Sequence, residues 1–215
     1  MAGELYLLSP TPYEGTRHLP MIRFSILVQR IDFSRYDGVI FTSKQGVKAL
    51  DEISGGRWRT LPAAAIGEQT AKEIEKRGGE VVYIASQAYG DVLAQELSER
   101  FGGFRWLYPR PKVVVSKIAA RLRERGIVVD ERVIYETVCV PYGRREAPQK
   151  DAVLLFTAPS VVHCFFENFE WDLSWHPVAI GHKTAQAFPD FVKPHIAPSP
   201  SLESAVTFAR NLVSH

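Results

Sequence analysis

Two short stretches of this chain carry the same glycine-and-hydroxyl pattern. Gly67-Glu68-Gln69-Thr70-Ala71 follows the apolar run Ala63–Ile66, and Gly181-His182-Lys183-Thr184-Ala185 follows Val178–Ile180. Upstream of each, at nearly the same distance, another apolar run ends in hydroxyls: Val39-Ile40-Phe41 leads to Thr42-Ser43, and Val153–Phe156 leads to Thr157-Ala158-Pro159-Ser160. A junction where a strand gives way to a helix presents unpaired backbone N–H groups and the positive end of the helix dipole. Both suit a carboxylate or phosphate. Glycine there lets a ligand approach the backbone, and threonine adds a hydroxyl donor. Taken singly, Gly-x-x-Thr-Ala is a helix start with a small residue for packing. Two copies in register favour a ligand edge made twice.

Three further residues have types suited to such a ligand. Tyr135 lies inside the long β-branched run Val128–Val140, where a phenol at a cleft can donate a proton to a leaving group and a phenol elsewhere simply packs. Arg110 and Lys112 follow the short run Trp106-Leu107-Tyr108 and are cations able to pair carboxylates. Other chemistry is missing. There is no Gly-x-x-x-x-Gly-Lys-[Ser/Thr], no Gly-x-Gly-x-x-Gly and no metal-spaced His/Cys group. His163 and Cys164 are neighbours and so point different ways on a helix. Such a chain works by holding a ligand in shape.

The elements that must position these residues alternate. Strands are expected at Leu5–Leu8, Val39–Thr42, Ala63–Ile66, Val81–Ile84, Trp106–Tyr108, Val153–Phe156, Val178–Ile180 and His195–Ala197. Helices are expected at Lys44–Ile53, Glu68–Arg77, Asp91–Arg100, Val114–Arg125, Ser160–Phe166, Lys183–Phe188 and Leu202–Leu212, with Pro159 in a first turn and Ser201 as an N-cap. Short apolar strands alternating with helices indicate parallel sheets covered on both faces. The repeat is the size of a domain, so the fold class expected is α/β, with two similar parallel-sheet domains. Val128–Val140, too long for an internal strand, would pair with Phe24–Ile31 as a two-stranded ladder. The expected division is then a discontinuous domain of residues 1–23 and 142–215, an inserted domain of 34–127, and a connecting ladder of 24–33 and 128–141. The ligand cleft would lie between the domains.

Composition excludes several classes. The 215 residues are 46% hydrophobic and 23% charged, which gives no reason to expect disorder. No apolar run approaches the roughly 20 residues that cross a bilayer, so no membrane association is expected. The net charge of +2 gives no argument for nucleic acid, although residues 105–150 hold eleven Lys/Arg against five Asp/Glu. No signal peptide is apparent, a cytoplasmic location is the default, and a disulfide between Cys139 and Cys164 is not expected.

Tyr36–Ser43, Ala65–Ala71, Tyr89-Gly90-Asp91, Val133–Thr137, Leu155–Ser160 and Ala179–Ala185, in that order and spacing, resemble the uroporphyrinogen-III synthase family from about Phe24 to the C-terminus. The resemblance implies a lyase that converts hydroxymethylbilane to uroporphyrinogen III with loss of water and inversion of the last ring. It implies no metal or cofactor, a monomer, and a substrate handed over by the preceding enzyme. By residue match, Tyr135 assists departure of the hydroxyl, while Thr42, Ser43, Gly67, Thr70, Thr157, Ser160, Gly181 and Thr184 line the cleft, with Arg110 and Lys112 beside them. Two departures stand out. Pro10–Pro20 leaves room for a turn or two where the family has a full helix, and Ala158 replaces the serine common before that proline. The rival reading is a non-catalytic two-domain binding protein for a small organic anion.

Overall fold

Eleven strands and seven helices are set out by a computed structural model that describes residues 3–27, 30–113 and 117–213. In chain order they are β1 (Leu5–Leu7), β2 (Arg17–His18), β3 (Ile22–Ile26), β4 (Gly38–Phe41), α1 (Lys44–Ser54), β5 (Ala63–Ala65), α2 (Glu68–Lys76), β6 (Val81–Ile84), α3 (Gly90–Arg100), β7 (Arg105–Pro111), α4 (Ile118–Glu124), β8 (Val128–Cys139), β9 (Val153–Phe156), α5 (Pro159–Asn168), β10 (His176–Ala179), α6 (His182–Ala185), β11 (His195–Ile196) and α7 (Leu202–Val213). Residues 28–29 of the expected second strand and 114–116 of the expected fourth helix lie outside the described residues. Two compact units divide the chain: Met1–Arg23 with Thr137–His215, and Phe24–Glu136. Strands β3 and β8 each run from one unit into the other.

The inserted unit holds a sheet of order β3-β8-β7-β4-β5-β6. Strands β8, β7, β4, β5 and β6 are parallel. β3 runs against β8, as the Leu27 N–H to Ile134 O bond (2.9 Å) and the Val140 N–H to Met21 O bond (2.8 Å) require. Successive residues of β4 serve opposite faces, as strand geometry dictates. Val39 and Phe41 pack with Val47, Leu50, Trp58 and Ile74 on one side. Ile40 packs with Leu93, Leu97, Trp106, Tyr108 and Ile118 on the other. The discontinuous unit holds the order β11-β10-β9-β1-β2, parallel throughout. Leu7, Leu155 and Val178 pack there against Ala205, Val206 and Ala209 of α7.

One expectation is extended and another corrected. The segment 10–20, with room for only a turn or two, forms a turn and then the two-residue edge strand β2, parallel to β1. Cys139 and Cys164 are joined in a disulfide, with Cα atoms 5.2 Å apart. The cause is local packing: Asn168 Nδ2 donates to both Val140 O (2.9 Å) and Cys164 O (2.7 Å), which lays the end of β8 on α5. Cellular compartment says nothing of that proximity. As expected, Pro159 opens α5 and Ser201 caps α7 by accepting the Ser204 N–H.

Asp51 ties α1 to the chain that follows it. Its carboxylate, 13% exposed, accepts the Trp58 Nε1–H at 2.9 Å and pairs with Arg59 and Arg77, each at 2.8 Å. Burial pushes the carboxyl pKa up, but the Trp58, Arg59 and Arg77 donors outweigh it and hold it below its ordinary 3.8. A depressed pKa contributes stability that is present above the ordinary value and lost as pH falls through the folded value. Asp51→Ala leaves the buried Trp58 Nε1–H without its acceptor, while Arg77 keeps Glu73 and Arg59 reaches water, and should cost roughly 1–3 kcal/mol at pH 7. Urea midpoints at pH 7 and pH 3 check this, with the gap to wild type narrowing at pH 3.

Candidate functional site

In both sheets the repeated motifs land at the carboxyl edge, and with the same local geometry. The Ile66 N–H donates to Phe41 O at 3.0 Å, and the Ile180 N–H donates to Phe156 O at 2.9 Å. The sheet register therefore sets Thr42 across from Ile66 in one unit and Thr157 across from Ile180 in the other, each one residue short of the motif glycine. The Thr70 N–H turns back to Gly67 O, and the Thr184 N–H to Gly181 O, both at 3.0 Å. Gly67 (φ 176°, ψ 171°) and Gly181 (φ −177°, ψ 174°) are extended, a backbone open to any residue. A Cβ on Gly67 would meet Ala88 at 3.5 Å, and one on Gly181 would meet Pro200 at 3.7 Å, both ordinary contacts. Neither packing nor conformation calls for glycine here. The threonines of the motif are buried, Thr70 to 5% exposure and Thr184 to 3%, so they close the helix starts rather than stand out from them.

The two edges differ in their hydroxyls. In the inserted unit, Ser43 caps α1, its Oγ accepting the Gly46 N–H at 3.0 Å. That same Oγ lies 3.1 Å from the Tyr135 hydroxyl, and Thr42 Oγ1 lies 3.2 Å from the Tyr108 hydroxyl. Tyr135, 4% exposed, packs edge-to-face on Phe24. Burial raises its pKa above the ordinary 10.0, with the Ser43 hydrogen bond pulling the other way, so the phenol is protonated at neutral pH. In the discontinuous unit, α5 is capped by Ala158 with no side-chain bond, followed by Pro159 and a half-buried Ser160. The chemistry-bearing groups thus gather on the six-stranded sheet.

Arg110 and Lys112 are at the same edge, but each already has a carboxylate. Arg110 Nε is 2.7 Å from Glu131 Oε2, too far out of line for a hydrogen bond, and its Nη1 donates to Pro111 O at 3.0 Å. Lys112 Nζ donates to Glu136 at 2.8 Å in an exposed pair. Arg105, Arg121 and Arg123 are likewise paired, with Asp130, Glu124 and Glu131. The local surplus of cations is therefore largely matched across strands and helices. What sequence reasoning missed is Tyr108, a residue of β7 that only the β4–β7 pairing brings to Thr42.

Two features lie away from this edge. A cavity of about 690 Å³ lies among Arg144, Phe166, Glu167, Trp171 and Phe191. It is at the amino edge of the five-stranded sheet, where α5 ends, and its aromatic wall with Glu167 and Glu170 is ill suited to a polyanion. Cys139, Cys164 and Glu167 bring metal-ligand atoms together, but the two sulfurs are spent on each other. Among the described residues, no helix is long and apolar enough to cross a membrane.

Comparison with known proteins bears on the family and the fold. A family described as "Uroporphyrinogen-III synthase HemD" matches residues 16–207. The crystal structure of uroporphyrinogen-III synthetase from Helicobacter pylori superposes with a TM-score of 0.82 at 25% identity, covering 98% of this chain and 99% of that one. A mutant uroporphyrinogen III synthase from the extremely thermophilic bacterium Thermus thermophilus shares the fold, with a TM-score of 0.59 at 16% identity over 99% of each chain. No curated protein matches the sequence.

Proposed function

The chain belongs to the uroporphyrinogen-III synthase family, and from that premise we propose that it converts hydroxymethylbilane to uroporphyrinogen III at the carboxyl edges just described. Family membership favours this over a non-catalytic anion-binding protein. The observation that carries the site is the Tyr135–Ser43 pair at the start of α1, on the carboxyl edge of the six-stranded sheet. Hydroxymethylbilane is a linear tetrapyrrole with acetate and propionate side chains. It can lose its hydroxyl and close unaided, but to the uninverted isomer. The protein must therefore favour one ring-closing transition state over another.

Each group at the edge has a role in that task. The bond from the terminal methylene to its hydroxyl breaks while the Tyr135 phenol supplies the proton, and water leaves. Ser43 Oγ accepts the Gly46 N–H, so its own proton is free to steady the phenolate oxygen. For the ring to invert, the terminal methylene must bond the already-linked carbon of the last pyrrole. The old methylene link there must break and re-form at the free carbon, and the proton then lost from that carbon restores the phenol. Thr42, Thr157 and Ser160, with the first amides after Gly67 and Gly181, hold side-chain carboxylates in the folded bilane. Thr70 and Thr184 fix the turns that present those amides. Lys112 exchanges Glu136 for a substrate carboxylate at little cost, since an exposed pair is weak. Arg110 acts through the frame it builds with Glu131. No metal or cofactor takes part in this scheme.

The working form in this proposal is a cytoplasmic monomer that receives the bilane from the enzyme that makes it. The Cys139–Cys164 bond runs against a reducing compartment, and a thiol count on protein taken directly from cells decides the matter. The reaction itself is tested with freshly made hydroxymethylbilane, followed by oxidation and separation of the uroporphyrin isomers. Isomer III should dominate with protein present. Isomer I alone, as in the blank, would end the proposal.

A further inference from the structure

The two copies of the motif contain their own control for one residue. Leu5, Tyr6 and Leu7 of β1 face Val153, Leu154 and Leu155 of β9, while Trp106 and Leu107 of β7 face Gly38 and Val39 of β4. Aligning Phe41-Thr42 with Phe156-Thr157 makes Leu7 the counterpart of Tyr108, one residue beyond the last paired position. Leu7 is fully buried, and Tyr108 is 1% exposed. The fold therefore fills this position with an aliphatic side chain in one unit. Packing alone gives no reason for a phenol in the other.

The phenol oxygen has a partner that Leu7 lacks. Tyr108 packs with Ile40 on one face of the six-stranded sheet, and Tyr135 packs with Val39 and Phe41 on the opposite face. The two phenols thus rise from opposite faces and meet consecutive hydroxyls, Tyr108 at Thr42 (3.2 Å) and Tyr135 at Ser43 (3.1 Å). A buried O–H left without an acceptor is costly, and a phenol is a better donor than acceptor. The Tyr108 hydroxyl therefore gives its proton to Thr42 Oγ1, and the half-buried Thr42 is left with its own proton to donate outward. Hydrogen bonds in series strengthen one another. We infer that Tyr108 is a positioning residue that locks the Thr42 hydroxyl as an outward donor to a carboxylate of the substrate. This rests on the proposed reaction. Thr157, with leucine behind its strand, has no such lock.

Kinetics of Tyr108→Phe, Thr42→Val and the double variant test the assignment, each with product isomers and a melting temperature. Tyr108→Phe should raise KM about three- to tenfold with kcat within twofold, the size expected for one weakened bond to a charged group. Thr42→Val should do at least as much, and the double variant should be no worse than Thr42→Val alone. Multiplied losses in the double variant, a loss confined to kcat, or wild-type KM in Tyr108→Phe would overturn the assignment. If Tyr108→Phe fails to fold, Thr42→Val decides: an unchanged KM there overturns it. Wild-type protein that makes no isomer III would instead remove the proposed reaction, so the two failures are distinguishable.

Discussion

Tyr135→Phe should lower turnover by roughly ten- to a thousandfold while the protein folds as before. The ring belongs to the cluster of Val39, Phe41 and Ile134 and rests on Phe24, contacts a phenylalanine retains. Ser43 keeps its bond from the Gly46 N–H, so the cap of α1 survives. Only the proton and its path are removed. Because burial holds the phenol above its ordinary 10.0, wild-type turnover should show no phenol titration between about pH 6 and 9. Steady-state rates on fresh substrate, with a melting curve for each protein, check both statements. Undiminished turnover would reduce Tyr135 to a packing residue.

Gly67→Ala separates a ligand edge from a capped helix start. The added Cβ meets only Ala88 at an ordinary distance, and the backbone is extended. Alanine reduces the freedom of the unfolded chain but is a poorer N-cap than glycine. The two effects offset to within about 1 kcal/mol. If a carboxylate is held on the amides after this glycine, a methyl group there displaces it by an ångström or so, which costs on the order of tenfold to a hundredfold in rate. The expected result is normal stability with kcat/KM lowered by that factor, and Gly181→Ala should behave alike. Full activity in both would mean that no ligand approaches these turns.

Much of the fold was legible because its signals are local. The Gly-x-x-Thr copies, the alternation of short apolar strands with helices and the unusual length of Val128–Val140 each lie within one stretch of chain. They reappear as β5–α2, β10–α6 and β8. What escaped depends on register across distant strands. Tyr108 meets Thr42 over 66 residues, and Lys112 meets Glu136 over 24, through the β4–β7 and β7–β8 pairings. Composition showed a basic segment. Only the β7–β8 register shows that Arg105 and Arg110 answer Asp130 and Glu131, and only the packing of α4 brings Arg123 to Glu131. The disulfide escaped for a similar reason, since Asn168, not the cysteine spacing, brings β8 onto α5. Arg17 and His18, in a segment too short for more than a turn or two, form a strand because β1 has an open edge there to pair with.

Amide hydrogen exchange with and without bound uroporphyrinogen III tests the placement of the site most directly. New protection should appear after Thr42 and Gly67 in the inserted unit and after Thr157 and Gly181 in the discontinuous one, with the cavity beside Phe166, Trp171 and Phe191 unchanged. Protection confined to that cavity, with the four turns exchanging as in the free protein, would contradict it.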